Sequence, residues 1–209
     1  MKRIKLLILM ALVVCVHSYV QAQAVNEVEI KQKINQAAAA LNTMQCDFIQ
    51  TKHLRMLNDK MVSKGKMYYQ KSDKLRWEYV TPYAYVFILN KDKVLVRNKG
   101  RNDVIDVNRN KVFKEVARIM MSSVVGNCLS DERNFKTSIS ESQTEWLATL
   151  LPLRKDMRQM FQKIILHFNK QKSYVVKVEL FEKNGDHTTI DLKNVRCNDA
   201  ISANTFVVN

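Results

Sequence analysis

The sequence predicts a mainly β, α+β protein: a single curled antiparallel sheet of about eleven strands, an incomplete β-barrel, with helices as a lid over its concave apolar face. Three observations predict it. Short runs of alternating apolar and polar residues follow one another closely, with turn residues between them, which is the pattern of an antiparallel meander. The stretch from Gly65 to Pro82, GKMYYQKSDKLRWEYVTP, is two aromatic-rich strands around a polar turn; Leu75, Trp77 and Tyr79 share one face, Arg76 and Glu78 the other. Helical segments each carry one apolar face and have no other visible surface on which to bury it. A sheet of this size must curl or close.

The chain opens on a leader. Lys2, Arg3 and Lys5 precede the apolar run 6–16, and Ala22 and Ala24 follow in an A-x-A arrangement, which is the order of a secretory signal peptide. The run is shorter than the roughly 20 residues that span a bilayer. Cleavage is expected after Ala24, with Ala22 as the alternative site. Cys15 follows Val14 rather than a small residue, which disfavours lipidation there. The expected layout is a signal peptide at 1–24 and a single domain at 25–209, exported, soluble and monomeric. About 185 residues suffice for one domain with a sizeable core.

Residues 26–42 read as a helix, with Ile30, Ile34, Ala37, Ala38 and Leu41 on one face, Asn26 as N-cap, and Glu27 and Glu29 in the first turn. Strands are expected at 45–54, 62–70, 74–80, 84–90, 93–98 and 102–107, separated by turn signals such as Asn58-Asp59, Ser72-Asp73 and Thr81-Pro82. Val112, Val116, Ile119, Met120 and Val124 then mark one face of a helix at 110–125, ended by Gly126 and Asn127. Strands resume at 134–140 and 144–150. A short helical flap at 153–162 sets Leu153, Met157, Met160 and Phe161 at helical spacing. The last strands are expected at 163–169, 173–182 and 187–194, with Asn184-Gly185 as the strongest hairpin signal and Thr205–Val208 as a closing edge strand.

Composition narrows the function. The formal charge of +14 loses the three leader positives, leaving about +11. The basic residues are scattered, without the stripe and interleaved aromatics of a nucleic-acid reader, so no nucleic-acid partner is expected. Cys46, Cys128 and Cys197 are odd in number and widely spaced, which fits neither a disulfide framework nor a metal site. One disulfide with a free thiol, or three buried thiols, both remain open. His53, His167 and His187 lack ligand spacing, Ser122, Ser123 and Ser130 sit in no nucleophile elbow, and Asp47, Asp59 and Asp73 form no carboxylate pair. No catalytic residue, metal or cofactor is expected, and the chain reads as a non-enzyme.

The residues resemble the periplasmic outer-membrane lipoprotein carriers, the LolA-like family. Phe48-Ile49-Gln50 is similar to the family's F-x-Q element; Gly65-Lys66-Met67-Tyr68 leads into Leu75-Arg76-Trp77-Glu78-Tyr79 and Pro82 as in its central pattern. Trp146 to Pro152 resembles its tryptophan strand, and Asn184-Gly185, Thr189-Ile190, Asn194, Ile201 and Phe206 resemble its closing hairpin and terminal strand. The likeness runs over nearly all of 26–208 and is weak in 128–140. Many members carry a basic residue before a proline ahead of the R-W segment, linked to lid closure; here Lys71-Ser72 stands there, keeping the charge without an arginine's planar fork.

The resemblance implies a non-enzymatic carrier that shields lipoprotein acyl chains between the inner and outer membranes. Implied partners are acylated lipoproteins, an inner-membrane ABC exporter, and the outer membrane or a receptor there. A carrier of another amphiphile, such as a glycolipid or a hydrophobic pigment precursor, and a lipid- or lipoprotein-sensing regulatory module are the alternatives. The period-two sets place Leu75, Trp77, Tyr79, Phe87, Leu89, Leu166, Phe168, Val178 and Leu180 in one concave space as ligand-binding candidates. The lid is expected from Val112, Val116, Ile119, Met120 and Val124, with the helix at 26–42 beside it and Lys71 as a polar latch on a backbone carbonyl. The pairs Met120-Met121 and Met157, Met160 fit either core filler or a surface that adapts to acyl chains.

Overall fold

The computed structural model describes residues 26–98, 100–106, 121–122 and 127–208. Its elements are α1 (Glu27–Ala40), β1 (Thr43–Leu54), β2 (Asp59–Gln70), β3 (Lys74–Thr81), β4 (Tyr85–Asn90), β5 (Lys93–Asn98), β6 (Arg101–Asp106), β7 (Phe135–Glu141), β8 (Glu145–Pro152), α2 (Lys155–Met160), β9 (Phe161–Asn169), β10 (Val175–Glu182) and β11 (His187–Cys197), with 3₁₀ turns at Asn127–Ser130 and Ala203–Phe206. The eleven strands form one antiparallel sheet in the order β6-β5-β4-β3-β2-β1-β11-β10-β9-β8-β7. Strands consecutive in sequence are neighbours in the sheet except β6 and β7, and β11 returns to pair with β1. The edges β6 and β7 do not pair, so the curled sheet stays open, as expected.

The first helix forms as its pattern requires. Asn26 Oδ1 accepts from the Glu29 backbone N–H at 3.1 Å, and Ile30, Ile34 and Ala38 are the buried stripe. Glu27 Oε1 accepts from the Ile139 N–H of β7 at 3.1 Å, tying the start of α1 to the far half of the sheet. The concave face and α1 share one cluster of buried apolar side chains, with Leu129 of the 3₁₀ turn and Met121 packed into it. The helix expected at 110–125 lies outside the described residues, except Met121 and Ser122, which are helical.

Two expectations are corrected. Thr205–Val208 is not an edge strand; the end of the chain crosses the convex face as a 3₁₀ turn. Phe206 is buried there against Val86, Ile88 and Leu95, with Tyr68, Ile201 and Val208 around them. Asn90 Nδ2 donates to the Phe206 carbonyl at 3.0 Å, and Arg76 donates to the Thr205 carbonyl at 3.4 Å. The flap at 153–162 is shorter than expected. α2 buries Met157 alone, Phe161 opens β9, and Leu153 and Met160 face solvent. Six residues make less than two helical turns, too few to bury a stripe.

Among the described residues no helix is long and apolar enough to cross a membrane. Cys46 and Cys197 are free thiols. Burial, reinforced by the nearby Asp47 carboxylate and by Cys197, pushes the Cys46 thiol up to about 12. The thiolate is the nucleophile, so Cys46 should resist alkylation at about pH 8 in the folded protein. Mass mapping after an iodoacetamide pulse should show Cys197 modified first, with Cys46 modified at a comparable rate only after unfolding.

Candidate functional site

The site begins with a glycine. Gly65 on β2 stands opposite Phe48 of β1 and Tyr79 of β3. A Cβ there would fall well inside contact distance of the Glu78 carbonyl oxygen and 2.5 Å from Phe48 Cζ. The missing side chain lets Phe48 lie over the strand. Its ring stacks on Trp77 with centroids 4.5 Å apart and meets Tyr79 edge-on at 5.2 Å. Tyr79 and Tyr85 continue the row at 6.0 Å. Leu75 pairs with Leu89, and Trp77 with Phe87, across β3 and β4. These side chains make one half of the concave face.

The other half comes from β8 to β11. Trp146, Ala148 and Leu150 of β8, Ile164, Leu166 and Phe168 of β9, Val178 of β10 and Leu192 of β11 belong to the same apolar cluster. Thus all nine cavity candidates lie in one cluster: Leu75, Trp77, Phe87, Leu89, Leu166, Phe168 and Val178 buried, Tyr79 and Leu180 partly exposed at its margin. The margin also includes Val96, Ile105 and Ile190, which sequence reading did not single out as site residues. Their signal was the same period of two, but nothing in the sequence says which members of an apolar face stay accessible.

The face carries few polar groups. The Tyr79 hydroxyl donates to Gln50 Oε1 at 2.9 Å, and burial pushes its phenol up. Trp77 Nε1 is buried; Tyr79 lies nearby, but the geometry falls short of a hydrogen bond, and among the described residues the donor has no partner. Toward the β1–β2 turn, Lys52 Nζ meets Glu182 Oε1 at 3.0 Å and Asp186 Oδ2 at 3.4 Å, and Thr188 Oγ1 donates to Glu182 at 3.3 Å. The hydrogen bond to Glu182, only partly offset by burial, holds the Lys52 ammonium above its ordinary value. The apolar surface thus ends on a polar belt.

Lys71, in the β2–β3 turn, extends Nζ to within 3.0 Å of the Ala39 carbonyl oxygen in the last turn of α1. That turn has no cation of its own, so Lys71 supplies one where the helix dipole favours it. The contact is to α1; the other lid candidates, Val112, Val116, Ile119, Met120 and Val124, lie outside the described residues. A cleft of about 450 Å³ opens between the end of α1, the β9–β10 turn and the end of β11, lined by Ala37, Leu41, Tyr174 and Cys197 among others.

The convex face gathers residues that are far apart in the chain. His167 Nδ1 lies 2.8 Å from Glu145 and Nε2 lies 2.7 Å from Glu179, whose second oxygen is 3.0 Å from His187 Nε2. His187 stacks on His53 at 5.9 Å. Sequence spacing did not reveal this grouping because β1, β9, β10 and β11 become neighbours only through register. Among the described residues no group of three or more His, Cys, Asp or Glu side chains could hold a metal. Burial works against the Glu179 carboxylate. The His167 hydrogen bond and the charges of Lys177, His167 and His187 outweigh it and hold Glu179 below its ordinary 4.5. A carboxylate lowered by folding stabilises above its unfolded pKa and loses that contribution as pH falls through the folded value. The stability gap between wild type and Glu179→Gln should therefore narrow below about pH 4.5, as urea titrations across that range would show.

The molecule is thus an open curled sheet whose concave side is apolar and covered by a helix. The model of the outer membrane lipoprotein carrier protein LolA matches residues 39–209. The chain belongs to the LolA family. No curated protein matches it at a significant level. Solved structures share this LolA-family chain's fold at low identity. A chain of the Pseudomonas aeruginosa MucA/MucB complex is 10% identical with a TM-score of 0.54, the match covering 87% of this chain and 61% of that one. An uncharacterized conserved protein from Thermus thermophilus is 7% identical with a TM-score of 0.53, covering 85% and 90%. The LolA-family chain thus spans about three fifths of the first of these.

Proposed function

We propose that this chain is a non-enzymatic periplasmic carrier that shields lipoprotein acyl chains against its concave face between the inner and outer membranes. The observation that carries the reading is the apolar cluster of an open sheet, whose margin of Tyr79, Val96, Leu180 and Ile190 stays partly exposed. Each buried CH₂ contributes about 0.8 kcal/mol, so one long acyl chain is worth on the order of 10 kcal/mol to a protein that replaces the bilayer. α1 hides the cluster when no cargo is present, and cargo displaces contacts weak enough to break. The Lys52, Glu182 and Asp186 belt borders the apolar surface where a headgroup or peptide would emerge. The trapped Trp77 N–H would find an acceptor in an ester or amide carbonyl. Loading by an inner-membrane ABC exporter and delivery to the outer membrane, or to a receptor there, complete the reading.

A second reading has one observation in its favour. The Pseudomonas aeruginosa neighbour is a chain of a MucA/MucB complex, so this fold also serves in a protein assembly. A regulatory module that senses lipid or lipoprotein would use the same concave face. Native mass spectrometry of protein purified from its source separates the readings. A bound acylated polypeptide supports the carrier, a small amphiphile supports transport of a different cargo, and stable co-purification with a membrane signalling protein supports the sensor.

A further inference from the structure

One end of the sheet carries apolar side chains that the concave site does not use. Met56 and Leu57 sit at the β1–β2 turn, 92% and 72% exposed. Met61 follows on β2, Tyr83 lies in the β3–β4 turn, and Leu153 and Met160 flank α2; all four are exposed. Antiparallel order puts these connections at one end, because β1, β3, β8 and β10 all run toward it. Hydrogen bonds join the β1–β2 turn, the β10–β11 turn and α2. The Arg55 N–H donates to Asp186 Oδ1 at 3.1 Å, and the Arg55 side chain covers Gly185 so closely that a Cβ there would meet Arg55 Cδ at 2.5 Å. The Lys183 N–H donates to the Met160 carbonyl at 2.9 Å. Of the other exposed large apolar residues among those described, Val62, Val80 and Leu151 belong to this end as well; Val28, Val104 and Val207 do not.

On the rim formed by this end of the sheet, unpaired cations outnumber unpaired acids. Among the described residues Arg55, Lys60, Lys64, Lys155, Arg158 and Lys183 make no ion pair. The acids of this end, among the described residues, are Asp59, Asp131, Glu132, Asp156, Glu179, Glu182, Asp186 and Asp191; Arg154 pairs with Asp156, Lys52 pairs with Glu182 and Asp186, His167 and His187 meet Glu179, and Asn134 donates to Asp131. Of these acids Asp59, Glu132 and Asp191 make no ion pair, against the six cations.

We propose that this rim is a docking surface for an anionic phospholipid bilayer. These apolar side chains are borne on separate turns, and none of them lines the cleft of about 440 Å³ at this end, which His53, Leu54, Arg55, Asn58, Asp59, Lys60 and Gly185 enclose. Flexible methionines, a leucine and a tyrosine can instead enter the headgroup region side by side. The interleaved cations meet lipid phosphates, which attract basic residues within a Debye length of the surface. The rim lies beside the polar belt of Lys52, Glu182 and Asp186, so docking brings the end of the concave face to the membrane. The docking itself does not depend on which amphiphile the concave face holds.

Sedimentation with extruded vesicles of phosphatidylethanolamine and phosphatidylglycerol, compared with pure phosphatidylcholine, tests this on the purified protein. The protein should sediment with the anionic vesicles at least tenfold more strongly than with the neutral ones, and added salt should weaken the binding. The double variant Met56→Asp, Leu57→Asp should lose tenfold or more, whereas Val104→Asp, exposed but away from the rim, should not. Circular dichroism confirms that both variants fold, and retention of a fluorescent triacylated peptide reports the concave site separately. Equal binding to both vesicle types, no binding, or full binding by the double variant overturns the proposal. So does a rim that captures only a protein.

Discussion

Gly65→Val should lower the unfolding free energy by about 3 kcal/mol or more, the upper range for overpacking a tight site. The added Cβ meets the Glu78 backbone carbonyl, which cannot swing aside as a side chain can, and also strikes the Phe48 ring. Either β2 leaves its register with β3, or Phe48 leaves its stack on Trp77 and Tyr79. For a domain of this size the melting temperature should fall by about 10 °C. Thermal unfolding followed by near-ultraviolet circular dichroism measures both, because the aromatic signal comes from the row that moves. A melting temperature indistinguishable from that of wild type would mean that β1, β2 and β3 do not approach as described.

Ile190→Asp and Val96→Asp should each weaken binding of a triacylated peptide by about tenfold to a hundredfold. Both positions lie on the margin of the concave cluster, on β11 and β5, so they probe opposite halves of the sheet. A carboxylate there stays hydrated while the site is open and loses water when an acyl chain covers it. Leu89, attractive from its sequence pattern, is the poorer choice: at 4% exposure a charge there would damage the empty fold too. Fluorescence titration with a dansylated triacyl peptide gives the affinities. Unchanged affinity in both variants would place the cargo elsewhere.

The strand meander, the first helix with its Asn26 cap and the shared face of Leu75, Trp77 and Tyr79 were legible in the sequence, because period and turn chemistry are local. What escaped was long-range. β4 reads YVFILN, apolar on both faces; Val86 and Ile88 were the signal that the convex side is covered too, and the chain end supplies Phe206 for it. Read alone, Thr205–Val208 looks like a strand because its β-prone residues suit any half-buried surface. The histidine and carboxylate row needed the register of four strands, and Lys71's contact with Ala39 needed the placement of α1 over the sheet. The stripe Leu153, Met157, Met160 has correct helical spacing but sits on a helix too short to bury it, and its outer members now face outward on the rim.

Photocrosslinking shows directly whether an acyl chain lies on the concave face. A lipopeptide with a diazirine in its acyl chain is mixed with the protein, irradiated, and the adducts are mapped by mass spectrometry. Adducts are expected on Tyr79, Val96, Leu180 and Ile190, with yields that fall when unlabelled lipopeptide competes. Adducts confined to the convex residues around Phe206, or an absence of competable adducts, would contradict that placement.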